Sequence, residues 1–438
     1  MRWAAWLTVE ALLVLLAFLA LLAIVLVVSA VRRGGRREDP LEDDAGAVSR
    51  FTLPVSIIVP VDRYAGALSN TIASLLSLNF PELEVIVVAD QVGGDAVFSL
   101  EWEWQIAPKE YFYRRTVQTS SVRRIFESKR DRRLIVVETE GANRADALNC
   151  GLSLSRFPYV ACVLPRVVLD SNAMLRLMSP ALRDPMNVVA ATSHIERREP
   201  RRRVQDPESR PTVWQTLEAD WQWIRSVRSW LASRVTVRRF RCGLSPEDTV
   251  SLWRRDALIE SGGFSSGASD PVLDALVRIQ GGGGERSGGE VVRTGEIVGR
   301  ADPVGLRAAG ILASHRQRAV MQAVAALRHV SPGRRVTTLC FLLAELLSPI
   351  VQTCVILAVV AGVTAGRLTW MNLVLLMVML SFGHGAITAA ALLVRGAVAG
   401  GPGSRELLRL LLVAPAEFLI YRPLLAVARL RDLVPVGR

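Results

Sequence analysis

Lysine is almost absent from this chain: of its 53 basic residues only Lys109 and Lys129 are not arginine. Cysteine is scarce too. Cys150, Cys162, Cys242, Cys340 and Cys354 are odd in number and show no C-x-x-C spacing, which excludes a disulfide scaffold and leaves the thiols as reduced, apolar filler. Aromatic residues make up 6% of the chain and do not alternate with basic ones, and no zinc-finger or helix-turn-helix pattern is present. The net charge of +12 therefore carries no nucleic-acid footprint, and the arginine bias reads as high-GC codon usage at least as readily as function. Apolar residues, by contrast, make up half of the chain, which excludes a disordered polypeptide, and they concentrate at its two ends. At ~100 to 200 residues per domain, the length predicts two or three structural units.

Residues 11–31 contain no charge, Trp3 and Trp6 precede them, and Arg32, Arg33, Arg36 and Arg37 follow. This predicts a transmembrane anchor over 1–37 with its N-terminus outside, rather than a cleaved signal peptide, whose basic residues would come first. An acidic, proline-containing linker follows over 38–50, and a folded domain over 51–332. In that domain Val55–Val61 and Glu84–Ala89 are short β-branched runs flanking a helical pattern of Leu68, Ile72, Leu75 and Leu76. They predict a β-α-β unit in a parallel sheet. Strands over Leu134–Glu138 and Tyr159–Leu164 with a helix over Ala145–Leu154 extend the α/β order. Glu196–Pro211, with six arginines and three prolines, and the glycine-rich Gln280–Glu290 read as loops. Between them Trp214, Trp221, Trp223 and Trp230 share a predicted helix with Arg225 and Arg228, suited either to a membrane surface or to a core.

Residues 333–395 hold two further predicted spans. Leu346–Ala365 is uncharged, and Leu368–Val394 carries only His384 as an ionisable group. The segment 396–438 is apolar but interrupted by Arg409, Glu417, Arg422 and Pro423, and reads as an interfacial amphipathic helix and tail. Arginine-rich flanks at 32–37, 334–335 and 395–405 all fall on one side, which puts the α/β domain in the cytosol of a bacterial-type inner membrane.

Five stretches carry a resemblance: VSIIVPV (Val55–Val61), TIASLLSLNFPELEVIVVAD (Thr71–Asp90), RADALNCGL (Arg144–Leu152), LWRRDALIESGGF (Leu252–Phe264) and EFLIYRPLLAVARLR (Glu417–Arg431). In this order the chain resembles membrane-bound family-2 glycosyltransferases of the cellulose, hyaluronan and poly-N-acetylglucosamine synthase kind. The resemblance implies a GT-A type, Rossmann-like domain plus transmembrane helices, with a nucleotide sugar of the UDP type as ligand. It implies that Pro60 and Asp62 after the first strand, Asp90, Arg144 and Asn149 contact the nucleotide, with Arg144 replacing the family's usual lysine.

The family's catalytic motifs are not retained. Its metal-binding D-x-D falls on Leu164 and Arg166, which offer no carboxylate to a divalent cation. Arg166 is instead a candidate contact for the diphosphate. The catalytic E-D pair falls on Pro271 and Val272. Asp270 beside them is the one candidate base, although Asp-Pro at a helix start is also an ordinary cap. Of Q-x-x-R-W only Gln317 remains, with Val320 and Met321 in place of Arg and Trp. The resemblance thus implies a degenerate homologue serving as a binding or assembly subunit in envelope polysaccharide or glycolipid synthesis, alongside a polysaccharide-synthesis partner. The alternative is an active inverting transferase with replacement residues, and a purely structural membrane protein leaves the α/β motifs unexplained.

Overall fold

The computed structural model describes residues 52–61, 68–90, 100–141, 143–197, 212–240, 249–280, 289–326, 385–396 and 402–425, with isolated positions at 362, 364, 366, 371 and 427. The predicted anchor, the linker and most of the two C-terminal spans lie outside these described residues. Among the described residues no helix is long and apolar enough to cross a membrane.

Val55–Val61 (β1) is buried at every position, as a central strand covered on both faces must be. Leu68–Leu76 (α1) buries Leu68, Ile72, Leu75 and Leu76 at helical spacing. Leu83–Asp90 (β2) then pairs parallel with β1, from Val55 opposite Leu83 to Val61 opposite Ala89. Ile106–Pro108 (β3) and Val122–Ser128 (β4) form an antiparallel edge against Leu134–Thr139 (β5), which runs parallel to β2. The chain continues through Arg144–Leu154 (α2), Tyr159–Cys162 (β6), Val167–Leu169 (β7), Ala173–Arg183 (α3), Val188–Arg197 (β8) and Val213–Phe240 (α4). Thr249–Arg254 (β9), Arg255–Glu260 (α5), Pro271–Gln280 (α6), Glu290–Ala301 (β10) and Leu306–Ala326 (α7) complete the domain. Residues 385–396 (α8) are helical, and Ser404–Ala416 (α9) runs into a π-helical turn at Glu417–Tyr421.

The strands form one sheet in the order β3-β4-β5-β2-β1-β6-β9-β8-β10-β7. Because β9 runs antiparallel between β6 and β8, strands β8 and β10 end at the same edge as β1, β2 and β6. That edge gathers Pro60, Asp90, Cys162 and Arg197, which is where open α/β sheets bind ligands.

Alternate residues of β1 feed two cores. Ile57 and Val59 pack with α1 and α3, whereas Ile58 packs with α2, α5, α6 and α7. Helix α2 presses so closely on β1 that a Cβ on Gly151 would lie 2.5 Å from Ile58 Cγ2. A third cluster joins Trp223, Ile224, Val227 and Trp230 of α4 to Ala391 and Leu392 of α8 and to Leu410 and Ala414 of α9. Of the two readings of the tryptophan helix, the core reading holds for Trp221, Trp223 and Trp230, all buried. Each indole N–H has a partner: Trp221 donates to Val413 O, Trp223 to Glu196 Oε1 and Trp230 to Gly295 O. Trp214 alone stays exposed.

Candidate functional site

A cleft of about 200 Å³ opens at the carboxyl edge of the sheet, between the strand ends and helices α2, α4, α6 and α7. Pro60 enters it from the end of β1, and Leu164 from the turn after β6. Arg144 stands at its rim at the start of α2, exposed, and makes no hydrogen bond or ion pair with any described residue. Arg197 comes from the end of β8, Arg225 from α4 and Tyr421 from the π-turn. Three arginines therefore line a cavity among whose described lining residues Asp270 alone is acidic.

Asp270 caps α6. Its Oδ1 accepts the Val272 and Leu273 N–H groups at 3.0 and 3.2 Å, while Oδ2 accepts no hydrogen bond among the described residues. The carboxylate of this lining residue is thus held by one oxygen while the other is unbonded among the described residues, so capping and proton acceptance do not exclude each other. Cys162 also lines the cleft, but burial pushes its thiol up to about 12, which removes it as a nucleophile at neutral pH.

The remaining sequence candidates are placed differently. Asn149 is buried outside the cleft lining: its amide donates to Gln118 O and Phe264 O, and its Oδ1 accepts the Phe264 N–H. It clamps the Gly262-Gly263-Phe264 turn, where Gly263 has φ +71° and a Cβ would meet Asn149 Oδ1 at 2.6 Å. Arg166 is not among the cleft-lining residues. It occupies the β6–β7 turn with φ +76°, a left-handed conformation that costs a non-glycine residue about 1 kcal/mol. Its N–H is fixed on Thr71 Oγ1 at 3.0 Å. Asp90 ends β2 opposite Thr139, with its side chain outside the described part, and Asp62 lies outside the described residues altogether. Val320 is buried in the core beneath α7, Met321 is exposed, and neither lines the cleft.

Reading the sequence alone missed Arg197, Arg225 and Tyr421 as cleft residues. Arg197 was one arginine of an apparent loop, Arg225 one of two on the tryptophan helix, and Tyr421 a letter in the tail motif. Only the tertiary fold brings these three stretches to one edge.

The strand order, the cleft position and the central parallel β-α-β unit define a mixed α/β fold. Among solved structures, the mannosyltransferase PcManGT from Pyrobaculum calidifontis, determined with GDP-Man and Mn2+, shares this fold. It is 17% identical, with a TM-score of 0.51 over 92% of this chain and 99% of that one. S. aureus TarS, residues 1–349, solved also with UDP-GlcNAc, matches 85% of this chain and 92% of its own at 13% identity and a TM-score of 0.40. No family model matches the chain, and no curated protein matches its sequence. At these identities the likeness shows the fold.

A divalent cation such as the Mn2+ of PcManGT does not fit the described side chains. Leu164 and Arg166, on which the resemblance sets a D-x-D, supply no carboxylate, and Asp270 is tied to its helix through one oxygen. No group of three His, Cys, Asp or Glu residues converges among the described residues. The guanidinium groups of Arg144, Arg197 and Arg225 would also repel a cation.

Proposed function

We propose that this chain is a membrane-anchored relative of family-2 glycosyltransferases that holds a nucleotide sugar in its cleft. In this reading it acts as a non-catalytic binding or assembly subunit, with a partner, in envelope polysaccharide or glycolipid synthesis. The observation that carries the reading is the cleft itself, a cationic pocket at the carboxyl edge of the sheet. Nucleotide sugars carry a diphosphate, and arginine matches phosphate oxygens with a planar, permanently charged fork. The GDP-Man in PcManGT supports the ligand class. Leucine, valine and methionine at the catalytic motif positions argue against turnover.

The membrane part rests on the apolar segments at 11–31, 346–365 and 368–394 and on the tail. In the tail Leu408, Leu412, Ile420 and Leu424 form an exposed row while Leu410, Ala414 and Leu425 are buried. Such a row suits a helix lying in the interface. The arginine flanks put the domain on the cytosolic side of a bacterial-type inner membrane.

A second reading, an active inverting transferase, is favoured by the free Oδ2 of Asp270. There Asp270 would take the proton from the acceptor hydroxyl as that oxygen attacks the anomeric carbon, the bond to the diphosphate breaks, and the nucleoside diphosphate leaves. The two readings part on one assay. Full-length protein is incubated with nucleotide sugars and candidate acceptors, and released nucleoside diphosphate is measured. No release supports the binding subunit; release that Asp270→Asn abolishes in a folded protein replaces it with the transferase.

A further inference from the structure

Tyr421 is fully buried and belongs to the cleft wall, yet its hydroxyl has no hydrogen-bond partner among the described residues. The neighbouring Gln222 engages its amide with Val304, Nε2–H donating to Val304 O and Oε1 accepting the Val304 N–H at 3.0 Å, and it lies close enough to act on the phenol without meeting hydrogen-bond geometry with it. A buried hydroxyl without a partner costs folding free energy, and such a group inside a cleft is satisfied when a ligand arrives. Its surroundings say what kind of ligand. The ring packs on Trp221 at 5.5 Å, and the charges of Arg225, Glu218 and Arg197 reach the phenol, two guanidinium groups against one carboxylate. Arg197 is fixed beside α4 by its own backbone, whose N–H donates to Ser226 Oγ at 3.2 Å.

We propose that Arg197, Arg225 and Tyr421 form a phosphate subsite that binds the diphosphate of the cleft's ligand without a divalent cation. Two guanidinium groups replace the charge of a metal, and the phenol donates a hydrogen bond to a phosphate oxygen. Burial raises the pKa of Tyr421 above the ordinary phenol value, so the hydroxyl keeps its proton at neutral pH and remains a donor. The three residues come from β8, α4 and the π-turn, so an occupied subsite ties the tail to the sheet. The inference rests on the nucleotide-sugar reading for the ligand's identity, but not for the anion site itself.

The test is isothermal titration of the full chain in detergent with inorganic pyrophosphate, UDP and uridine, in chelator and in Mn2+, together with thermal melting. Tyr421→Phe is the decisive variant because it removes an oxygen that accepts and donates no hydrogen bond among the described residues. Its Tm should hold or rise while affinity for pyrophosphate and UDP falls about tenfold, the loss of one charge-assisted hydrogen bond. Arg225→Gln should weaken both ligands further and flatten the salt dependence. An unchanged affinity in Tyr421→Phe, or binding that appears only with Mn2+, overturns the subsite. Uridine binding as tightly as UDP sinks the subsite but spares the nucleotide reading. Pyrophosphate binding with no gain from the nucleoside does the reverse. A phosphate-monoester lipid in mixed micelles that displaces pyrophosphate better than UDP keeps the subsite and reassigns its ligand to a lipid headgroup.

Discussion

Glu417 is fully buried, and Arg228 and Arg422 hold it at 2.6 and 3.1 Å. Burial works to raise its pKa, but the two guanidinium groups outweigh that and bring it down to about 2. A carboxylate depressed in the folded state stabilises the protein above its ordinary range, and that stability is lost as pH falls through the folded value. The Tm should therefore drop steadily between about pH 5 and pH 2, and Glu417→Gln should flatten that slope. Glu417→Gln should also cost about 3 kcal/mol at neutral pH by leaving Arg228 buried without its counter-charge, which a denaturant titration reads directly. At Asp270, Asn keeps the cap whereas Ala removes it, so only Asp270→Ala should lower stability, by about 1 kcal/mol. The sequence made the cap legible, because Asp-Pro ahead of a helical pattern is an ordinary helix start, alongside the reading of Asp270 as a base. It did not make Asn149 legible as a turn clamp, since its partners Gln118 and Phe264 lie 31 and 115 residues away.

The central elements were readable because their chemistry is local. β1 is a continuous β-branched run because both of its faces are covered, and α1 keeps helical spacing because one of its faces is. The strands that went unread break those rules for physical reasons. β4 is an outer strand with arginines at 123 and 124, β8 buries Thr192, Ser193 and His194, and β10 carries register shifts and two glycines. The contact of α2 with β1 gives a test at this scale. Gly151→Ala would force a Cβ to 2.5 Å from Ile58, so it should cost about 1–3 kcal/mol, and pairing it with Ile58→Val should recover part of that loss in a double-mutant cycle.

The molecule joins its sheet domain to the C-terminal segments through buried ion pairs. Arg395 of α8 meets Glu196 of β8 at 2.7 Å, with both side chains almost fully buried, and Arg395 also lies over Trp223 at 5.7 Å. The end of a predicted span is thus locked to the strand that delivers Arg197 to the cleft. If the domain is cytosolic, a cysteine placed at the fully exposed Phe112 should resist an impermeant maleimide in intact cells and react after lysis; labelling in intact cells would reverse the topology. The central claim, a nucleotide-sugar cleft without turnover, is tested most directly by equilibrium dialysis of the full chain with a labelled nucleotide sugar in chelator, followed by analysis of the retained label. The account predicts that intact nucleotide sugar is retained by the wild type and that much less is retained by Arg144→Ala. No retention, or recovery of the label as free sugar or transferred product, would contradict it.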